Sequence, residues 1–166
     1  WAYPVGIFRM RLDALGAFFL VWSLPMTLLG SLYAVGYMRP HFKGPRHLGV
    51  HFALLNLTSI SFVLVYTGEH ALIFLLGWEV AALAAWLLVI WDYTNQKVRF
   101  AGFNYLVSTH IGLIFLVAAV MILYTHAGTW YLGDFGVWLH ANPGPLRNAI
   151  FLLLVTSFGL KSAFFP

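Results

Sequence analysis

Three side chains stand out because of where they lie: Glu79, His110 and Lys161, each inside an otherwise apolar run. A carboxylate, an imidazole and an ammonium can each take up and release a proton. At 1.5 Å rise per residue, each lies roughly 13 to 18 Å from the start of its run, so the three share one depth. A charge at the centre of a membrane helix costs about 2.5 to 3.5 kcal/mol, against about 0.3 to 0.6 kcal/mol gained per Leu, Ile, Phe or Val. Each run can therefore carry one such group. Glu79 and Lys161 are then driven to face each other or water, since lipid offers neither a partner nor solvation. A layer of this kind points to a proton or ion pathway. Two blander readings stand beside it: Glu79 and Lys161 as a structural pair fixing which helices pack, and His110, beside Thr109, as a hydrogen-bonded packing residue.

The elements that must position these groups follow from composition. Of the 166 residues, 61% are hydrophobic and 8% charged, whereas soluble chains carry about a quarter charged residues. With a mean hydropathy of +0.85, the expectation is an all-α, polytopic integral membrane helical bundle with about five spans. The chain reads as a single membrane domain over 1–166, with spans near 14–37, 49–66, 70–91, 101–124 and 148–166. Pro25 falls mid-way along the first and is expected to kink it. Asn56, Thr58, Ser59 and Ser61 in the second, and Gly77, Ala81 and Ala85 at every fourth residue of the third, suit close helix contact. Residues 125–147 hold Gly128, Gly133, Gly136, Pro143, Gly144 and Pro145 with four large aromatic residues, and read as an interfacial loop.

With no cysteine present, disulfides and thiolate-held zinc or iron–sulfur groups in this chain are excluded. The net charge of +4 is divided between two faces and forms no nucleic-acid patch. Arg39, Lys43, Arg46, Lys97 and Arg99 outnumber Arg9, Arg11 and Arg147, so the face near residues 43 and 97 is expected to be cytoplasmic. The chain opens on Trp1 and closes on Phe165-Pro166 within an apolar run, which reads as an internal piece of a longer polytopic protein. His41, His47 and His140 fall in expected loops and His51, His70 and His126 at span ends, so all six read as interfacial. His70 and His126 lie toward the same face and also invite a haem reading.

The stretch Gly77-Trp78-Glu79-Val80-Ala81-Ala82-Leu83-Ala84-Ala85-Trp86-Leu87-Leu88 resembles the buried-glutamate helix of the proton-translocating antiporter-like subunits. These occur in respiratory complex I, multisubunit sodium/proton antiporters and energy-converting hydrogenases. Gly159-Leu160-Lys161-Ser162-Ala163-Phe164-Phe165-Pro166 is similar to that family's buried-lysine helix, which normally continues into His-x-Trp-Leu-Pro at a helix break. Arg11-Leu12-Asp13-Ala14-Leu15 is similar to the entry of the third helix. Tyr105-Leu106-Val107-Ser108-Thr109-His110-Ile111-Gly112 resembles most the hydrogenase and formate hydrogenlyase branch. The resemblance covers essentially the whole chain, as about the third to seventh of some fourteen helices.

It implies a Glu79–Lys161 charge pair whose opening and closing gates proton movement, with His110 able to pass the proton onward. It also implies a second half-channel outside this chain. No cofactor is expected in this chain, and partner subunits are expected to carry iron–sulfur clusters and a nickel–iron or flavin/quinone site. The implied partners are other membrane subunits and a peripheral redox arm. The implied location is a prokaryotic cytoplasmic (inner) membrane. A sodium/proton antiporter subunit would share these residues.

Overall fold

The computed structural model describes residues 6–39 and 48–164. Six α-helices make up nearly all of it: α1 (Ala14–Tyr37), α2 (Leu48–Thr67), α3 (Ala71–Val89), α4 (Gln96–Ala127), α5 (Leu132–Ala141) and α6 (Pro145–Lys161). The expected basic loop at His41, Lys43, Arg46 and His47 lies outside the described residues, as do Phe165 and Pro166.

Helices α1, α2, α4 and the stretch Ala71–Asp92, which adds a 3-10 turn to α3, are long and apolar enough to cross a membrane. The fifth expected span appears as α6, which is 17 residues long. It starts at Pro145, where proline's missing N–H costs nothing, and closes just after Lys161. The turn beyond it donates Phe164 N–H to Gly159 O at 2.9 Å and Ala163 N–H to Leu160 O at 3.4 Å. Ala163 takes the left-handed conformation, φ 56°, in the place glycine usually holds in such a motif. Pro25 lies within a continuous α1.

Each helix packs on its successor from α1 to α4, and α4 also carries α5 and α6. Glycines set the closest approaches. A Cβ on Gly77 would stand 3.0 Å from Leu64 Cβ and 3.1 Å from Ser61 O, so α3 meets α2 there by backbone. On α4, a Cβ on Gly112 would stand 3.2 Å from Ser157 O of α6. Among the small polar residues of α2, Ser61 is fully buried and Thr58, Ser59 and Ser61 return their hydroxyls to the carbonyls of Leu54, Leu55 and Leu57. Their polarity is thus satisfied inside the helix, as an apolar surround demands.

The stretch expected as an interfacial loop contains a ten-residue helix, α5. Gly133 and Gly136 do not break it because both sit on its exposed side, while Leu132, Phe135, Trp138 and Leu139 turn onto the end of α4. Together with Ala71, Ala119, Val120, Leu123 and Ile150 they form the best-buried apolar cluster. Large side chains along α1, including Trp22, Met26 and Leu29, remain exposed, as expected of a surface whose neighbour is lipid or another helix.

On the same face the chain knits three distant segments together. Arg11 N–H donates to Thr67 O (2.7 Å), Glu69 N–H to Arg9 O (3.1 Å), Ala71 N–H to Trp130 O (2.8 Å) and Leu132 N–H to Glu69 O (3.0 Å). The Arg11 guanidinium lies 3.8 Å from Glu69, and Arg9 sits over the Tyr131 ring at 5.0 Å.

Candidate functional site

Helices α3, α4 and α6 bring together the three groups singled out by depth. Glu79 reaches α4, where its Oε1 lies 3.1 Å from His110 Nε2. The other imidazole nitrogen, Nδ1, lies 2.9 Å from Leu106 O one turn earlier on α4. A carbonyl can only accept, so Nδ1 must carry its proton. A hydrogen bond between Nε2 and Glu79 then needs one proton, held either on the imidazole or on the carboxyl. The two atoms are near enough for that proton to pass between them. Both side chains are partly exposed, His110 at 42% and Glu79 at 24%, which leaves room for a further group beside each.

Lys161 arrives from the last residue of α6. Its ammonium donates to Trp78 O at 3.2 Å and lies 4.5 Å from the centroid of the Trp78 ring. Trp78 is held from two sides, by Phe74 at 5.7 Å on its own helix and by Phe158 at 5.3 Å on α6. Among the described residues no ion pair joins Lys161 to Glu79. The resemblance implies a Glu79–Lys161 pair; here Glu79 turns to His110 and Lys161 lies on Trp78, the residue next to Glu79. Trp78 is the part of the site that sequence reasoning missed. Its backbone carbonyl leaves no signal in residue type, although its place beside Glu79 was in view.

The packing glycines explain the convergence. Gly77 lies two residues before Glu79 and Gly112 two residues after His110, so α3 meets α2 and α4 meets α6 closely beside the charged side chains. Thr109, on the buried side of α4, bonds back to Tyr105 O and Leu106 O and takes no part in the Glu79 contact.

His70, expected at a span end, sits at the N-terminus of α3. It is fully buried. Its Nδ1 caps α3 by accepting from Leu72 N–H at 3.2 Å, and its ring packs against Phe8, Trp130 and Tyr131. His126 instead packs on Trp138. A haem between His70 and His126 would have to displace this aromatic packing, so the two residues do not fit that reading.

Comparison with known proteins gives this geometry a family. Residues 68–166 match the model of the NADH:quinone oxidoreductase/Mrp antiporter transmembrane family. The whole chain aligns at 30% identity with an uncharacterized protein of Mycobacterium tuberculosis strain H37Rv, over 25% of that protein's length. Hydrogenase-4 component B of Escherichia coli K12 is 28% identical over 95% of the chain and 23% of its own length. NADH-quinone oxidoreductase subunit L of Escherichia coli K12 is 34% identical over 74% of the chain and 19% of its own length. The chain thus spans about a quarter or less of the curated relatives it matches. With a polytopic helical architecture and the match over 68–166, this chain belongs to the NADH:quinone oxidoreductase/Mrp antiporter transmembrane family.

Proposed function

We propose that this chain is part of a proton-translocating, antiporter-like membrane subunit, and that Glu79, His110 and Lys161 form one half of its proton path. The observation that carries the reading is the Glu79–His110 contact, in which Nδ1 is committed to Leu106 O and one proton serves the pair. Lys161 is the charge that biases this proton. When the ammonium approaches Glu79 it favours the carboxylate and so hands the proton to His110; when it retires to Trp78 the carboxyl can take the proton back.

The relatives named for hydrogenase-4 and NADH-quinone oxidoreductase support a redox-driven parent assembly. Its other membrane subunits and peripheral arm would carry iron–sulfur clusters and a nickel–iron or flavin/quinone site, and its home would be a prokaryotic inner membrane. The family's description also names an antiporter, which supports a second reading in which a sodium gradient replaces the electron donor. A scaffold in which Glu79 and Lys161 only hold helices together is the contrary case.

Replacing Lys161 by Ala and by Arg in the full-length subunit tests the reading. Normal assembly with proton transport lost in the Ala variant is expected, with partial return in the Arg variant. Undiminished transport in Lys161→Ala would remove Lys161 from the path.

A further inference from the structure

We propose that Trp78 is a second seat for the Lys161 ammonium, so that Trp78 and Glu79, adjacent on α3, form a two-position switch. The inference rests on the proton path proposed above. An ammonium drawn away from its carboxylate at mid-membrane depth needs another partner, because lipid supplies none. Trp78 supplies two at once: a carbonyl oxygen at 3.2 Å and an indole face at 4.5 Å, where the ring quadrupole attracts the cation. The ring packs against Phe74 on α3 and Phe158 on α6, which hold its face toward the ammonium. Glu79 is meanwhile engaged with His110, which leaves Lys161 to the tryptophan.

Trp78 is in this account a positioning residue: it holds no transferable proton and acts through Lys161. Its consequence is kinetic. By stabilising the separated arrangement, it lets Glu79 and Lys161 part often enough to sustain transport. Without the indole, Lys161 stays on Glu79 and exchange slows in proportion to the attraction lost.

The test uses the assembled parent complex in proteoliposomes, with proton uptake read by an internal pH-sensitive dye. Trp78→Phe and Trp78→Leu are compared with the native residue. In parallel, tryptophans bearing one, two and three ring fluorines are placed at position 78 by nonsense suppression. Fluorination drains the ring quadrupole with little change of shape, so packing against Phe158 is kept. The expected result is a stepwise fall in transport along the fluorine series, on the order of tenfold at three fluorines, with Phe above Leu and assembly unchanged. A flat fluorine series, with Lys161→Ala abolishing transport in the same preparation, would overturn the seat while leaving the proton path standing. Native transport in Lys161→Ala would overturn the path and the seat with it. Should Trp78→Leu fail to assemble, the fluorine series still decides.

Discussion

In the proposed path a proton rests on either of two atoms 3.1 Å apart, which gives a particular signature when one of them is changed. His110→Ala removes the acceptor facing Glu79 and the Nδ1 hydrogen bond to Leu106 O. Loss of a positioned proton-transfer group typically costs two to four powers of ten, so proton transport in the full-length subunit should fall about a hundredfold, checked by the same dye assay. His110→Gln, which keeps a polar side chain without a titrating ring, should be no better. At this scale the sequence singles out three residues by type and depth. Glu79, His110 and Lys161 betrayed themselves by the cost of burying them. It was silent on which of them touch, because that depends on side-chain direction across three helices, and on Trp78, whose role runs through a main-chain oxygen.

The helices themselves were legible because lipid demands long apolar runs: α1 to α3 fall within two residues of their expected bounds, while α4 starts five residues before and ends three residues after the expected 101–124. Helix α5 was hidden by Gly133 and Gly136, which read as breakers, whereas in the structure both lie on the exposed side of the helix. The clasp of residues 9–11, 67–71 and 130–132 was hidden for another reason: it joins segments some sixty residues apart through main-chain bonds. Close helix approach carries its own prediction. Gly112→Leu would drive a side chain into Ser157 O and Leu160 Cβ, parting α4 from α6. Overpacking of this kind costs about 1 to 3 kcal/mol, and recovery of assembled complex from membranes should drop several-fold. At the clasp, His70→Ala removes the acceptor for Leu72 N–H and empties a buried ring site. It should cost about 2 kcal/mol, read as a lowered melting temperature of the detergent-solubilised complex.

For the whole molecule, these 166 residues carry no cysteine, so a single thiol introduced among them reports its own position once any cysteine elsewhere in the full-length subunit is replaced. Val137, at 71% exposure on α5, and exposed Lys97, in the first turn of α4, belong to opposite ends of the bundle. With the Lys97 end cytoplasmic, Val137→Cys should be labelled by an impermeant maleimide in intact cells and Lys97→Cys only in inverted vesicles. The proposed path requires the Glu79 carboxyl to exchange a proton with His110. Glu79→Gln tests it most directly, since an amide keeps the shape and hydrogen-bonding reach of the side chain but cannot take up or release that proton. Normal assembly of the parent complex is expected, with proton transport in proteoliposomes reduced at least about tenfold. Transport at the native rate in Glu79→Gln would contradict it.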